Sequence, residues 1–122
     1  IIEMEIKKTG KLFSFCCETA GIIKGYNKNK TKILYKIGLD IGLLFQIADD
    51  LIDYKGDEKI VGKPVKSDQR KGKQNLVNLL GYEDTINFAD NLKKKIITRI
   101  KKFGKKSNDL IESVDFILNR NF

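Results

Sequence analysis

Residues 37–53 read IGLDIGLLFQIADDLID, and this stretch decides the fold class. Its apolar residues fall on nearly every side of a helix instead of alternating as in a strand, which predicts a helix that is buried almost all round. We place this central helix from about Thr31 to Tyr54. Gly38 and Gly42 lie one turn apart in it, although glycine in a helix interior costs about 1 kcal/mol relative to alanine. We therefore expect a neighbouring helix to approach closely at both glycines.

Three carboxylates stand at the end of this apolar run. Asp49 and Asp53 are one helical turn apart, Asp50 lies beside them, and Gln46 lies one turn before. Like charges beside a buried face are costly, because they repel one another and because desolvation disfavours ionised groups. A hard divalent cation removes this cost, and Mg²⁺ is usually held by one or two carboxylates together with substrate phosphates. The cluster is typical of half a metal–phosphate site, but the triplet alone leaves open a set of solvated charges that ends the helix.

Helical periodicity continues through most of the chain, which predicts an all-α fold. One irregular stretch interrupts it from Lys55 to Gly72 and contains the only proline of the chain, Pro64. Loops longer than about 12 residues are uncommon in compact domains and tend to be functional. The other predicted helices are Glu3–Ile23, Lys73–Leu80, Asp84–Phe103 and Asn108–Asn119. In the first of these, the expected apolar face consists of Ile6, Leu12, Phe13, Phe15, Cys16 and Ile22.

Composition excludes several kinds of site. The 122 residues contain no histidine, which excludes histidine-based acid–base or zinc chemistry within them. The net charge of +8 comes from lysines spread along the chain, and we interpret most of them as solvated surface charge. No apolar run approaches the roughly 20 residues that span a bilayer. Cys16 and Cys17 lie in an apolar helical run, so we expect two small buried thiols in a reduced cytosolic protein.

Three lysines stand beside residues that favour anion binding. Lys8 is followed by Thr9 and Gly10 within the first predicted helix, and Lys63 and Lys73 each follow a glycine in or beside the irregular stretch. Lysine binds phosphate as a compact point charge. Each lysine alone is typical of a solvated surface, but the combination with an acidic helix end favours a site for a phosphorylated ligand.

Together these residues resemble the C-terminal part of the trans-prenyltransferases, the polyprenyl diphosphate synthases. The similarity covers essentially all of residues 1–122 and is greatest to the short-chain bacterial enzymes that make farnesyl or geranylgeranyl diphosphate. The matching pieces follow the family order: Lys8–Leu12, Ile41–Asp53, Gly62-Lys63 leading to Ser67-Asp68, and Gly72-Lys73 leading to Leu79–Gly81. The resemblance implies an all-helical isoprenoid-synthase bundle with a central apolar cavity, of which residues 1–122 form the C-terminal portion.

The resemblance also implies roles for single residues. Three match the second aspartate-rich motif, which holds Mg²⁺ against the allylic diphosphate: Asp49, Asp50 and Asp53. Three match lysines that contact that diphosphate: Lys8, Lys63 and Lys73. Thr9 and Gln46 match the pair that places oxygen dipoles beside the allylic cation. The implied reaction is the Mg²⁺-dependent condensation of isopentenyl diphosphate with an allylic diphosphate, with Lys8, Thr9, Gln46 and Asp49 as the catalytic residues.

Parts of the family's machinery are absent from these residues. The family has a further aspartate-rich motif upstream, whereas this sequence contains only the one at Asp49–Asp53. The chain also begins at Ile1 inside an amphipathic pattern with no capping residue, so we expect a longer protein. We expect residues 1–122 to be inactive in isolation. The resemblance implies that the full-length enzyme is a cytoplasmic homodimer, and we expect neither nucleic-acid binding nor stable membrane insertion.

Two other functions stay open. A non-catalytic regulatory subunit of a synthase would tend to lose the aspartates, and all three are present here. A basic helical nucleic-acid binder is disfavoured because the lysines lack interleaved exposed aromatic residues and no known DNA- or RNA-binding motif occurs.

Overall fold

The computed structural model describes residues 6–61, 76–104 and 108–118, and this part of the chain is helical without a strand. A π-helical turn, Ile6–Gly10, leads directly into helix α1, Lys11–Lys24. The remaining helices are α2 (Lys28–Val61), α3 (Leu76–Leu80), α4 (Tyr82–Lys101) and α5 (Asn108–Leu118). None of the described helices is both long and apolar enough to cross a membrane. The predicted all-α class is confirmed over the described residues.

Two local signals close the turn between α1 and α2. Gly25 adopts a φ of +78°, the left-handed conformation that commonly ends a helix. Asn27 then caps α2, because its side-chain Oδ1 accepts a hydrogen bond from the backbone N–H of Lys30 at 2.9 Å. With this cap α2 begins at Lys28, one turn before the predicted start at Thr31.

Helix α2 is longer than predicted. Its 34 residues span about 50 Å, and it continues past the predicted end at Tyr54 to Val61. Residues 55–61, predicted to be irregular, are therefore helical, which corrects that assignment. Extending an existing helix adds one hydrogen bond for each residue fixed, whereas starting a new helix is costly, so a segment with one glycine and no proline can continue it. The rest of the predicted irregular stretch, residues 62–72, lies outside the described residues.

The core lies between α2 and α4. Its buried apolar residues on these two helices are Ile37, Ile41, Leu43, Leu44, Ile47, Ala48 and Leu51 of α2 and Ala89, Leu92, Ile96 and Ile100 of α4. Leu76 and Val77 of α3 and Val114 of α5 complete it. The prediction that α2 is the central, buried helix is confirmed.

The face of α1 that meets α2 is not the predicted one. Leu12, Phe15 and Ile22 are all more than 60% exposed, whereas the buried positions of α1 are Ser14 and Gly21. Small residues face α2 because the two helices lie so close together that larger side chains do not fit between them.

The orientation of α1 also determines how exposed its two cysteines are. Cys16 points away from α2 and is exposed, so the prediction that it is buried was wrong. Cys17 lies nearer the small-residue face and is half-buried, and burial, with a smaller contribution from neighbouring Cys16, raises the pKa of its thiol above the ordinary value.

Candidate functional site

The site begins where the backbones of α2 and the π-helical turn meet. A Cβ atom added at Gly42 would lie 2.5 Å from the Cα atom of Gly10, closer than real Cβ contacts. One turn earlier, a Cβ added at Gly38 would lie 2.6 Å from the carbonyl oxygen of Phe13. The expectation that Gly38 and Gly42 admit a neighbouring helix is confirmed, and the close approach also accounts for Gly10. This double contact fixes the register of the two segments.

One turn beyond this contact, two predicted site residues meet. Gln46 Nε2 donates a hydrogen bond to Thr9 Oγ1 across 37 residues of sequence. Thr9 lies in the π-helical turn, a rare form of helix that is frequent at functional sites. Both side chains are half-buried. The structure therefore brings Thr9 and Gln46 together, as a result of the glycine contact beside them.

The three carboxylates follow in the next two turns of α2. Asp49 and Asp50 are half-buried, and the Oδ2 atom of Asp50 is buried; Asp53 is exposed. No group of three histidine, cysteine, aspartate or glutamate side chains in the described residues is arranged to hold a metal ion by itself. All three carboxylates belong to one helix.

The predicted lysines are described less fully. The backbone of Lys8 belongs to the π-helical turn, directly before Thr9, but its side chain lies outside the described part of the structure. Lys63 and Lys73 lie outside the described residues altogether. Their predicted contacts with a diphosphate stay predictions.

Two aromatic pairs flank the site and were not predicted. The rings of Phe13 and Phe45 lie 5.8 Å apart beside the Thr9–Gln46 hydrogen bond. The rings of Tyr54 and Tyr82 are stacked 5.1 Å apart, next to the acidic end of α2. The helical periodicity of apolar residues marked Phe13 and Phe45 only as members of apolar helical faces. No sequence signal connects Tyr54 with a residue 28 positions later.

Comparison with known proteins points to one family. The polyprenyl synthetase family model matches residues 2–115. The chain is 34% identical over 119 residues to the geranylgeranyl diphosphate synthase of Sulfolobus acidocaldarius, and 32% identical over 118 residues to the farnesyl diphosphate synthase of Micrococcus luteus. These alignments cover 95% and 97% of this chain but 34% and 40% of those proteins.

The fold agrees with this result. The structure of a geranyltransferase from Helicobacter pylori 26695 superposes with a TM-score of 0.67 at 28% sequence identity, covering 97% of this chain and 37% of that one. The chain thus spans between 34% and 40% of the length of these relatives. The resemblance found in the motifs is confirmed, and the chain belongs to the polyprenyl synthetase family.

Proposed function

We propose that residues 1–122 form the C-terminal portion of a short-chain prenyl diphosphate synthase. The enzyme condenses isopentenyl diphosphate with an allylic diphosphate to give farnesyl or geranylgeranyl diphosphate. Membership of the family supports this, since relatives with those names match nearly the whole chain. The observation that carries the proposal is the hydrogen bond between Thr9 and Gln46, one turn before a half-buried carboxylate at Asp49.

The donor set at the end of α2 fits Mg²⁺. Asp49, Asp50 and Asp53 offer only hard carboxylate oxygens, and they are half-buried to exposed, which leaves them open to a further ligand. Mg²⁺ is usually held by one or two carboxylates, with phosphate and water oxygens completing the octahedron. The lack of a complete three-residue metal cage among the described residues is compatible with such a shared site. When bound, Mg²⁺ would supply Lewis-acid neutralisation of the pyrophosphate leaving group.

Thr9 and Gln46 act on the organic part of the substrate in this proposal. The Gln46 amide nitrogen is engaged with Thr9, which orients the amide and leaves its oxygen as the end that can face a cation. Oriented dipoles that face a developing charge stabilise the transition state without reorganising during the reaction. Phe13 and Phe45 place apolar surface beside this pair, where exclusion of water protects a carbocation.

The proposed reaction requires no nucleophile from the protein. The allylic C–O bond breaks and pyrophosphate leaves with the electron pair. The resulting cation adds to the double bond of isopentenyl diphosphate, and the departing pyrophosphate accepts the proton that is then lost. Lys8, Lys63 and Lys73 are proposed as ligands of the diphosphate on the resemblance alone.

The test uses the complete coding sequence, expressed and assayed for Mg²⁺-dependent condensation of isopentenyl and dimethylallyl diphosphates. Asp49→Ala should lower kcat/KM by at least about a hundredfold, which is the order seen when one charge-stabilising group is removed from an active site. The control is Lys102→Ala, an exposed residue in the turn after α4, which should leave turnover nearly unchanged.

Comparable losses from both variants, or no condensation by the complete protein, would refute the proposal. A separate assay addresses the assignment of residues 1–122 as a portion of the enzyme. These residues alone should give no turnover, because one aspartate-rich motif of the family is absent from them. Robust turnover by residues 1–122 would overturn that assignment.

A further inference from the structure

Two tyrosines and a lysine join the acidic segment of α2, Asp49–Asp53, to the start of α4. Tyr54 follows Asp53 directly and lies one turn after Asp50 on the same face of the helix. Its ring stacks on Tyr82, the first residue of α4, with centroids 5.1 Å apart and an angle of 27° between the planes. Lys55 Nζ lies 5.6 Å from the Tyr82 centroid, which is cation–π distance.

Tyr82 begins α4 directly after the turn at Gly81, and hydrogen bonds hold this turn in place. Gly81 separates α3 from α4 with a φ of +91°, a conformation that L side chains rarely adopt. The buried Thr85 hydroxyl lies 2.7 Å from the carbonyl oxygen of Gly81 and 3.1 Å from that of Leu76, and it ties the turn together. The stack therefore connects the acidic segment of α2 to a turn that is held in place by hydrogen bonds.

The acidic segment of α2 is under electrostatic repulsion, so a contact that fixes its position would matter. Asp49 and Asp53 are like charges at positions i and i+4, and such pairs destabilise a helix. Asp53 is exposed, whereas Leu51 before it is buried and Tyr54 after it packs partly buried against the core. The Tyr54–Tyr82 stack is a contact between α2 and α4 directly beside these carboxylates.

The molecule contains a matched pair at the other end of the same two helices. The rings of Tyr26 and Phe103 lie 6.0 Å apart at an angle of 39°, and Lys30 Nζ lies 5.0 Å from the Tyr26 centroid. Lys30 and Lys55 are about 37 Å apart along α2 at 1.5 Å per residue. Tyr26 lies in the turn before α2 and Phe103 in the turn after α4, so a similar combination of two rings and a lysine occurs far from the carboxylates.

We propose that Tyr54 and Tyr82 are positioning residues that hold Asp50 and Asp53 in the geometry needed to bind Mg²⁺ with the allylic diphosphate. This inference rests on the function proposed above and assigns these tyrosines no contact with substrate. The pair at Tyr26 and Phe103 contributes to stability alone.

The experiment compares Tyr82→Leu with Tyr26→Leu in the full-length enzyme, since both changes remove one ring of a pair and keep an apolar side chain. Tyr82→Leu should raise the Mg²⁺ concentration for half-maximal turnover and the KM for the allylic diphosphate by about fivefold, the factor that corresponds to one aromatic pair. Tyr26→Leu should lower the melting temperature by about as much as Tyr82→Leu does, but it should leave both kinetic constants unchanged. Tyr82→Phe, which keeps the ring, should restore the wild-type values.

Identical kinetic constants in Tyr82→Leu and Tyr26→Leu would overturn the inference, as would a failure of Tyr82→Phe to restore them. If Tyr82→Leu does not fold, Tyr54→Leu removes the other ring of the same pair and is judged by the same criteria. A failure of the proposed function would look different, because the wild-type enzyme would then show no condensation or no loss on Asp49→Ala.

Discussion

Replacing Gly42 by alanine should separate the π-helical turn from α2 at the position that aligns the site. The added Cβ would lie 2.5 Å from the Cα atom and 2.8 Å from the nitrogen of Gly10. Both are backbone atoms, so the clash cannot be relieved by rotating a side chain. The π-helical turn must move away from α2, and Thr9 must move with it.

The magnitude follows from two opposing terms. Overpacking a well-packed contact costs about 1–3 kcal/mol, and a clash with backbone belongs near the upper end. Alanine in place of glycine in a helix interior gains about 1 kcal/mol in helix propensity. The net prediction is a loss of about 2 kcal/mol in the free energy of unfolding.

Gly56→Ala is the matched control within the same helix, because a Cβ added at Gly56 meets no atom within 4 Å. This change should gain the propensity term alone, about 1 kcal/mol. Urea unfolding followed by far-ultraviolet circular dichroism measures both variants, which should therefore differ by about 3 kcal/mol with opposite signs. If Gly42→Ala proved as stable as Gly56→Ala, the glycine contact would not be what sets the distance between α2 and the π-helical turn.

Two further predictions concern the packing of α4 and the exposure of α1. Asp40→Asn should lower the free energy of unfolding by about 1 kcal/mol, because Asp40 accepts a 2.9 Å hydrogen bond from the partly buried Arg99. Asp115→Asn should change it by less than about 0.5 kcal/mol in the same unfolding assay, because the Asp115 carboxylate is more exposed than that of Asp40 and lies 3.4 Å from Lys93; equal losses would contradict the ranking. Iodoacetamide should modify Cys16 before Cys17, as measured by peptide mass mapping, because burial raises the pKa of Cys17 and so lowers its thiolate fraction at any given pH. Equal rates for the two thiols would be inconsistent with the described orientation of α1.

The central part of the fold could be predicted because its signals are local. The apolar run after Ile37 marked α2 as the buried helix, and the pair Gly38 and Gly42 marked the face on which another helix approaches. Both inferences need only the spacing of residues on one helix. The same spacing placed Gln46 and Asp49 on neighbouring turns, which is where the structure has them.

Two predictions, the buried face of α1 and the end of α2, were wrong because a local sequence pattern does not show what a segment packs against or continues from. The exposed Phe15 and Cys16 belong to an apolar pattern on α1, but the close approach of Gly38 to the backbone at Ser14 selects the opposite, small-residue face. The sequence predicts residues 55–61 to be irregular because they belong to a stretch with three glycines, one proline and alternating charges, whereas continuing the long preceding helix costs little.

The aromatic pair at the acidic end could not be predicted for a related reason. Tyr54 and Tyr82 are brought together by the packing of α2 on α4, which depends on many core residues at once. Neither tyrosine belongs to a periodic pattern that would single it out. Contacts of this kind become visible only when the crossing of the two helices is known.

The order of side chains along α2 gives the proposed function its strongest physical argument. From Gly42 to Asp53 the helix rises about 16 Å, and the chemical type of the groups on this face changes from one turn to the next. Backbone contact and the Phe13–Phe45 rings come first, the Gln46 amide with its bonded hydroxyl second, and the carboxylates last. A ligand lying along this face would meet apolar surface, then neutral dipoles, then negative charge that requires a cation. An isoprenoid diphosphate has the complementary order, with a hydrocarbon tail, a carbon that becomes cationic and a metal-binding head group. A polar metabolite without a tail would leave the partly exposed rings of Phe13 and Phe45 uncovered, so this gradient favours a prenyl substrate over other phosphorylated ligands.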